Sequence, residues 1–120
     1  TRERIASAFA SIADQEEALA GRLLAYLATK SHVHVIGAAT ADQAVRVPTI
    51  SFVADGRDPE TIVRHIDGLQ IGIRFGDFHS RRLVEHLDLS HPNGVVRVSM
   101  VHYNTLEEID RLIRGLDEVL

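Results

Sequence analysis

A chain of 120 residues that is 45% hydrophobic and 25% charged has the composition of one soluble globular domain, able to bury roughly two-thirds of its unfolded surface. Its formal net charge of −4 and pI near 5.9, with acids and bases interspersed, leave no electrostatic footprint for nucleic acid or an anionic membrane. The lack of cysteine excludes disulfides, thiolate metal sites and cysteine nucleophiles, and no apolar run approaches the roughly 18 residues that span a bilayer, so a cytoplasmic chain is expected.

Thr1 opens directly into a helical pattern with Ile5, Ala8, Phe9 and Ile12 on one stripe. With no initiator methionine ahead of it, the chain reads either as cut from something longer or as processed before threonine. Asp14 and Glu17 have the spacing of a helix cap and its third residue, and Leu19, Leu23, Tyr26 and Leu27 recur at helical spacing, which predicts two helices meeting at a kink near Ile12 to Asp14. "HVHVIGA" predicts a short strand and "AATADQA" a loop. "RVPTISFVADG" predicts a second strand, with Pro48 at its start and a turn at Asp55-Gly56.

Asp58 followed by Pro59 is the start of a helix, with Ile62, Val63, Ile66 and Leu69 inward and Gly68 helping to end it. "IGIRF" predicts a strand with Ile71, Ile73 and Phe75 on one side. Gly76 breaks it, "SRRLVEHLDL" is a short helix from about Ser80, and "SHPNG" is a turn. In the strand Val95 to Val101, alternation puts Val96, Val98 and Met100 on one face and Val95, Arg97, Ser99 and Val101 on the other. Thr105 and Glu108 form a T-x-x-E capping box, and Ile109, Leu112, Ile113, Leu116 and Leu120 are the inner stripe of a last helix. Glu107 with Arg111 and Asp110 with Arg114 are expected i,i+4 pairs on its outer face. This order predicts an α+β two-layer sandwich, a small, mainly antiparallel sheet with helices on one face.

The seven histidines raise the question of a metal. His32 and His34 alternate on a strand and form a candidate ligand pair, but no third ligand follows at a telling distance, and none is assigned. His65 and His86 fall on helices and His91 in a turn. Ser99 has no neighbouring base, and neither a G-x-S-x-G elbow nor a glycine-rich phosphate loop occurs, so a self-contained enzyme is not expected. What remains is Arg74 and Arg97, both on strands and each followed by a polar turn. A guanidinium stays charged at ordinary pH, and leaving it unanswered in an apolar strand is costly. Two of them suit a ligand carboxylate held by bidentate hydrogen bonds, or internal ion pairs with acids such as Asp55 or Asp77.

"GVVRVSMVHYNTLEEIDRLIRGL" resembles the C-terminal signature of class V aminotransferases of the cysteine desulfurase type, in which an R-x-S strand runs into Tyr-Asn-Thr and an acidic helix start. The resemblance extends back through "IGIRFGDFHS", "VPTISFVADG" and the long double helix, and so covers essentially the whole chain. It implies a fold-type I pyridoxal-phosphate enzyme, usually a homodimer. In such enzymes a large domain holds the cofactor through a lysine Schiff base, and a small C-terminal domain closes over an amino-acid substrate. Residues 1–120 would be that small domain, preceded by the catalytic large domain and inactive alone. By the resemblance Arg97 binds the substrate α-carboxylate, Arg74 is a second arginine lining the site, and Tyr103, Asn104 and Thr105 shape the turn behind it. Two departures stand out. His79 occupies the place of the desulfurase cysteine, which excludes persulfide chemistry there and leaves a candidate acid or base, or a bystander. The only lysine, Lys30, ends a helix in a context unlike the family's Schiff-base lysine, so this segment would bind no cofactor covalently. The rival expectation is a non-enzymatic module that binds a small carboxylate, or mediates dimerisation.

Overall fold

The sequence "TISFVA" alternates strictly, and so does its burial: Ile50, Phe52 and Ala54 are buried while Thr49, Ser51 and Val53 are half-buried. That period of two defines an inner and an outer face for the whole sheet. The computed structural model describes residues 1–89 and 93–120, and the expected turn residues Ser90, His91 and Pro92 lie outside them. The elements are α1 (Arg2–Ala28), β1 (Val33–Ile36), β2 (Thr49–Ala54), α2 (Pro59–Gly68), β3 (Arg74–Gly76), α3 (Arg81–His86), β4 (Val95–Ser99) and α4 (Leu106–Val119). Among the described residues the sheet has four strands in the order β1-β2-β4-β3, all paired antiparallel. The expected α+β sandwich is the observed one.

The inner face carries Phe52, Ile50, Val96, Val98 and Met100 against Leu19, Leu23 and Leu27 of α1, Ile62 and Ile66 of α2, and Ile109, Leu112 and Leu116 of α4. α4 packs between α1 and α2, and its Gly115 is the reason it can approach so closely. A β-carbon there would lie 2.7 Å from Leu69 Cδ1 and 2.9 Å from Ile66 Cδ1, inside any real contact. α3 buries no residue.

Four local expectations are corrected. The kink is absent: α1 is one helix of 27 residues, because Asp14 and Glu17 face outward and hold the following loop instead of capping. Asp14 Oδ1 accepts from Gln43 Nε2 at 2.9 Å, and Glu17 Oε2 accepts from the Gln43 backbone N–H at 3.0 Å. β3 is three residues rather than five, starting only at Arg74, although Ile73 is buried as its alternation requires. α2 is not ended by Gly68, its last helical residue. The left-handed residue is Gln70 (φ 60°), and the Ile71 N–H to Ile66 O and Gln70 N–H to Asp67 O bonds make a Schellman motif. The i,i+4 pairs on α4 give way to longer-range partners, since Asp110 accepts from Arg22 of α1 at 2.8 Å and Arg111 donates to the Leu69 carbonyl oxygen.

The caps at Asp58 and Thr105 form as expected. Asp58 accepts from the Glu60 N–H, and Thr105 with Glu108 closes a full capping box. Asn104 and the Thr105 N–H hold the Glu108 carboxyl below the usual carboxylate range by hydrogen bonding to its charged form.

Candidate functional site

The antiparallel register lines up four residues across the outer face of the sheet. Ile36 pairs with Ser51, Ser51 with Arg97, and Arg97 with Arg74. Ile36, Ser51 and Arg97 are half-buried and Arg74 is exposed. Two like charges directly opposite one another on a sheet repel, so this pairing lowers stability unless an anion answers it. The acids named as internal partners are used elsewhere: Asp55 Oδ2 lies 2.9 Å from His34 Nε2, and Asp77 Oδ1 accepts from the His79 backbone N–H at 3.0 Å. Among the described residues neither arginine pairs with a carboxylate. Arg74 Nη1 donates to the Ile73 carbonyl oxygen at 2.8 Å. The Arg97 guanidinium carbon lies 3.7 Å from the ring centroid of Phe78.

Phe78 reaches that position through an unusual turn. Gly76 (φ 136°), Phe78 (φ 49°) and His79 (φ 66°) all have positive φ. For Phe78 and His79 this region costs about 1–3 kcal/mol each and persists only where the surroundings enforce it. The enforcement is visible. Asp77 bonds the His79 N–H, the Ser80 N–H donates to the Asp77 carbonyl at 2.8 Å, and Gly94 (φ 69°) is pressed against the turn. A β-carbon on Gly94 would lie 2.3 Å from the Gly76 carbonyl oxygen, so no other residue permits this approach.

The turn "HYNT" is organised by Asn104. Its Oδ1 accepts from the Val101 N–H at 2.9 Å, its Nδ2 donates to Glu108 at 3.0 Å, and its carbonyl accepts from Gln15 of α1 at 3.2 Å. Thr105 is a cap, and Tyr103 is exposed. A cleft of about 230 Å³ lined by Ile73, Ser99, Asn104, Glu108 and Ile109 includes neither arginine, and Asn104 and Glu108 are bonded to each other. His79 exposes its side chain beside the Arg97–Phe78 stack, with its backbone N–H engaged. The histidine pair does not converge: His32 Nε2 lies 3.0 Å from the Leu120 carbonyl oxygen, whereas His34 meets Asp55 on the outer face. Among the described residues no group of three or more His, Asp or Glu could hold a metal ion. Nor, among the described residues, is any helix long and apolar enough to cross a membrane. Sequence reasoning found both arginines but missed Phe78. The signal was an aromatic placed in a polar turn directly after an arginine strand.

Residues 5–112 match the family described as aminotransferase class-V. The chain belongs to that family. It is 44% identical over 111 residues to the aminotransferase-like protein FGM3 of Gibberella zeae, a match that covers 92% of this chain and 28% of that protein. It is 32% identical over 115 residues to the cysteine desulfurase-like protein ustD of Aspergillus flavus, covering 91% of this chain and 26% of that protein. Among solved structures it resembles the apo cysteine desulfurase of Thermococcus onnurineus, with a TM-score of 0.78, 25% identity, and coverage of 92% of this chain and 26% of that one. The chain thus spans about a quarter of the length of these relatives.

Class V family membership implies pyridoxal phosphate in the whole enzyme. This segment's own residues do not fit as its covalent holder. Lys30, the one lysine, donates to Asp117 at 2.6 Å and lies 5.6 Å from the Tyr26 ring centroid, in the helix layer rather than on the arginine face. Burial, with Asp117 adding to it, pushes the Tyr26 phenol up to about 12, and the Lys30 ammonium in turn holds the Asp117 carboxyl below its ordinary range. These groups form a seam between α1 and α4, on the side of the sheet away from Arg97.

Proposed function

We propose that this chain is the C-terminal, substrate-closing domain of a pyridoxal-phosphate enzyme acting on an amino acid, with a catalytic large domain ahead of Thr1. The whole enzyme is a cytoplasmic homodimer, and residues 1–120 are inactive alone. The observation that carries this is the Arg97–Arg74 pair, opposed on the uncovered face of the sheet with no carboxylate of the described chain to answer it. Arg97 binds and orients the substrate α-carboxylate, and Arg74 adds a second positive charge to the same site. The cofactor supplies the electron sink, and the lysine that holds it belongs to the large domain. The apolar stripe of α1 supports the same assembly. Ile5 and Phe9 are 58% and 65% exposed on a stretch of helix that touches none of the core, which suits a face covered by further chain.

The test is Arg97→Ala in the full-length protein. Losing a bidentate carboxylate contact of about 2–4 kcal/mol should weaken amino-acid binding about 30- to 1000-fold while pyridoxal phosphate stays bound. Unchanged amino-acid affinity would remove Arg97 from the carboxylate site. A lowered melting temperature with unchanged affinity would make the residue structural.

A further inference from the structure

A guanidinium has two kinds of surface. Its edges carry the N–H donors, all in one plane, and its faces carry none. A carboxylate can be held bidentately only from the edge, so whatever covers the face does not compete with it. At 3.7 Å from the ring centroid, the Arg97 guanidinium carbon lies over the flat of the Phe78 ring. An aromatic edge could not bring a centroid so near, and a guanidinium turned edge-on to the ring would push its nitrogens inside van der Waals contact, so the two planes lie face to face. Phe78 thus takes one face of Arg97 and leaves the donor edges free.

The turn that delivers the ring is built for that placement. Phe78 follows the glycine that ends β3, and β3 is the strand paired with β4, so strand pairing carries the ring across to Arg97. Phe78 is half-buried although it stands in a polar turn between Asp77 and His79, and its contact is with the arginine. Among the described residues Arg97 has no carboxylate partner and no hydrogen bond to lock its side chain, and a long side chain with free rotamers loses entropy when a ligand orders it. The Phe78 ring is the contact that restricts it beforehand.

We propose that Phe78 is the positioning residue of the carboxylate site. Its ring lies against one face of the Arg97 guanidinium, fixing the plane of the donor fork before the ligand arrives and excluding water from that side. This rests on Arg97 being the carboxylate ligand. Phe78 makes no bond to the ligand and acts through the arginine. Leucine at this position keeps the apolar bulk but lacks the ring face, whereas tyrosine keeps the ring.

The experiment uses the full-length holoenzyme and measures dissociation constants for the common L-amino acids. For the one that binds most tightly, the decarboxylated amine is measured as well. Phe78→Leu should raise the amino-acid dissociation constant about five- to tenfold, leave that of the amine unchanged, and leave the melting temperature within a degree or two, while Phe78→Tyr restores wild-type affinity. A merely structural phenylalanine would weaken both ligands alike or lower the melting temperature, and either result overturns the proposal, as does an unaltered amino-acid constant in Phe78→Leu. Arg97→Ala is run alongside. If it weakens the amino acid and Phe78→Leu does not, only the positioning role falls; if Arg97→Ala changes nothing, or no amino acid binds, the carboxylate assignment falls and takes Phe78 with it.

Discussion

Arg97 is held in place by its neighbours on one strand and directed by a ring on the turn that follows another. Its backbone is fixed in β4 between buried Val96 and Val98, and its side chain leaves on the opposite face because strand alternation allows nothing else. His79 illustrates the difference between occupying a position and being prepared for a role. It stands where the resemblance places a nucleophile, but its ring is exposed and, among the described residues, has no partner to set its tautomer or aim it, while its backbone N–H is bonded to Asp77. His79→Asn, which tolerates positive φ as well as histidine does, should leave kcat and KM of the full-length enzyme within about twofold and the pH profile unshifted. A loss of a limb of that profile would make His79 an acid or base after all.

Among the elements, those with complete local signals were legible and those decided by distant partners were not. The Asp58-Pro59 start of α2 and the Thr105–Glu108 box of α4 each carry their whole cap within four residues, and both form as expected. The alternation of Val96, Val98 and Met100 was equally plain, and with it the face of Arg97. The supposed cap at Asp14 and Glu17 failed because the same residue types serve Gln43, twenty-nine and twenty-six residues on, and no local pattern announces that loop. The end of α2 failed for a different reason. Gly68 was available as a terminator, yet the left-handed position fell on Gln70, since the Schellman bonds lead Ile71 back toward the core. Gln70 therefore sits in a conformation that glycine adopts without strain, and Gln70→Gly should raise stability by about 0.5–1 kcal/mol in denaturant titration. A loss of stability would mean that the glutamine side chain makes a contact worth more than the strain. The opposition of Arg74 and Arg97 was legible only in part: both were visible as strand residues, but that they face each other depends on the β3–β4 register.

For the molecule as a whole, the helix layer is closed and the arginine face is open. The core is shared by α1, α2 and α4, and the seam between α1 and α4 carries the Arg22–Asp110 and Lys30–Asp117 pairs. Exposed pairs of this kind contribute little to stability, so the packing of leucine and isoleucine does most of the holding. The first ten residues of α1, Arg2 to Ser11, are all exposed. If the Ile5–Phe9 stripe is covered in the full-length protein, Phe9→Asp should lower its melting temperature by several degrees, the effect of placing a charge in an apolar contact. No change would mean that this stretch stands in solvent there too. On the proposed function, these residues supply a substrate-holding face to a cofactor anchored elsewhere. The most direct test is borohydride reduction of the full-length protein, followed by mapping of the pyridoxyl group. The expected result is a visible band that borohydride abolishes and a label on a lysine ahead of Thr1; a label on Lys30, or no band after added pyridoxal phosphate, would overturn the proposed function.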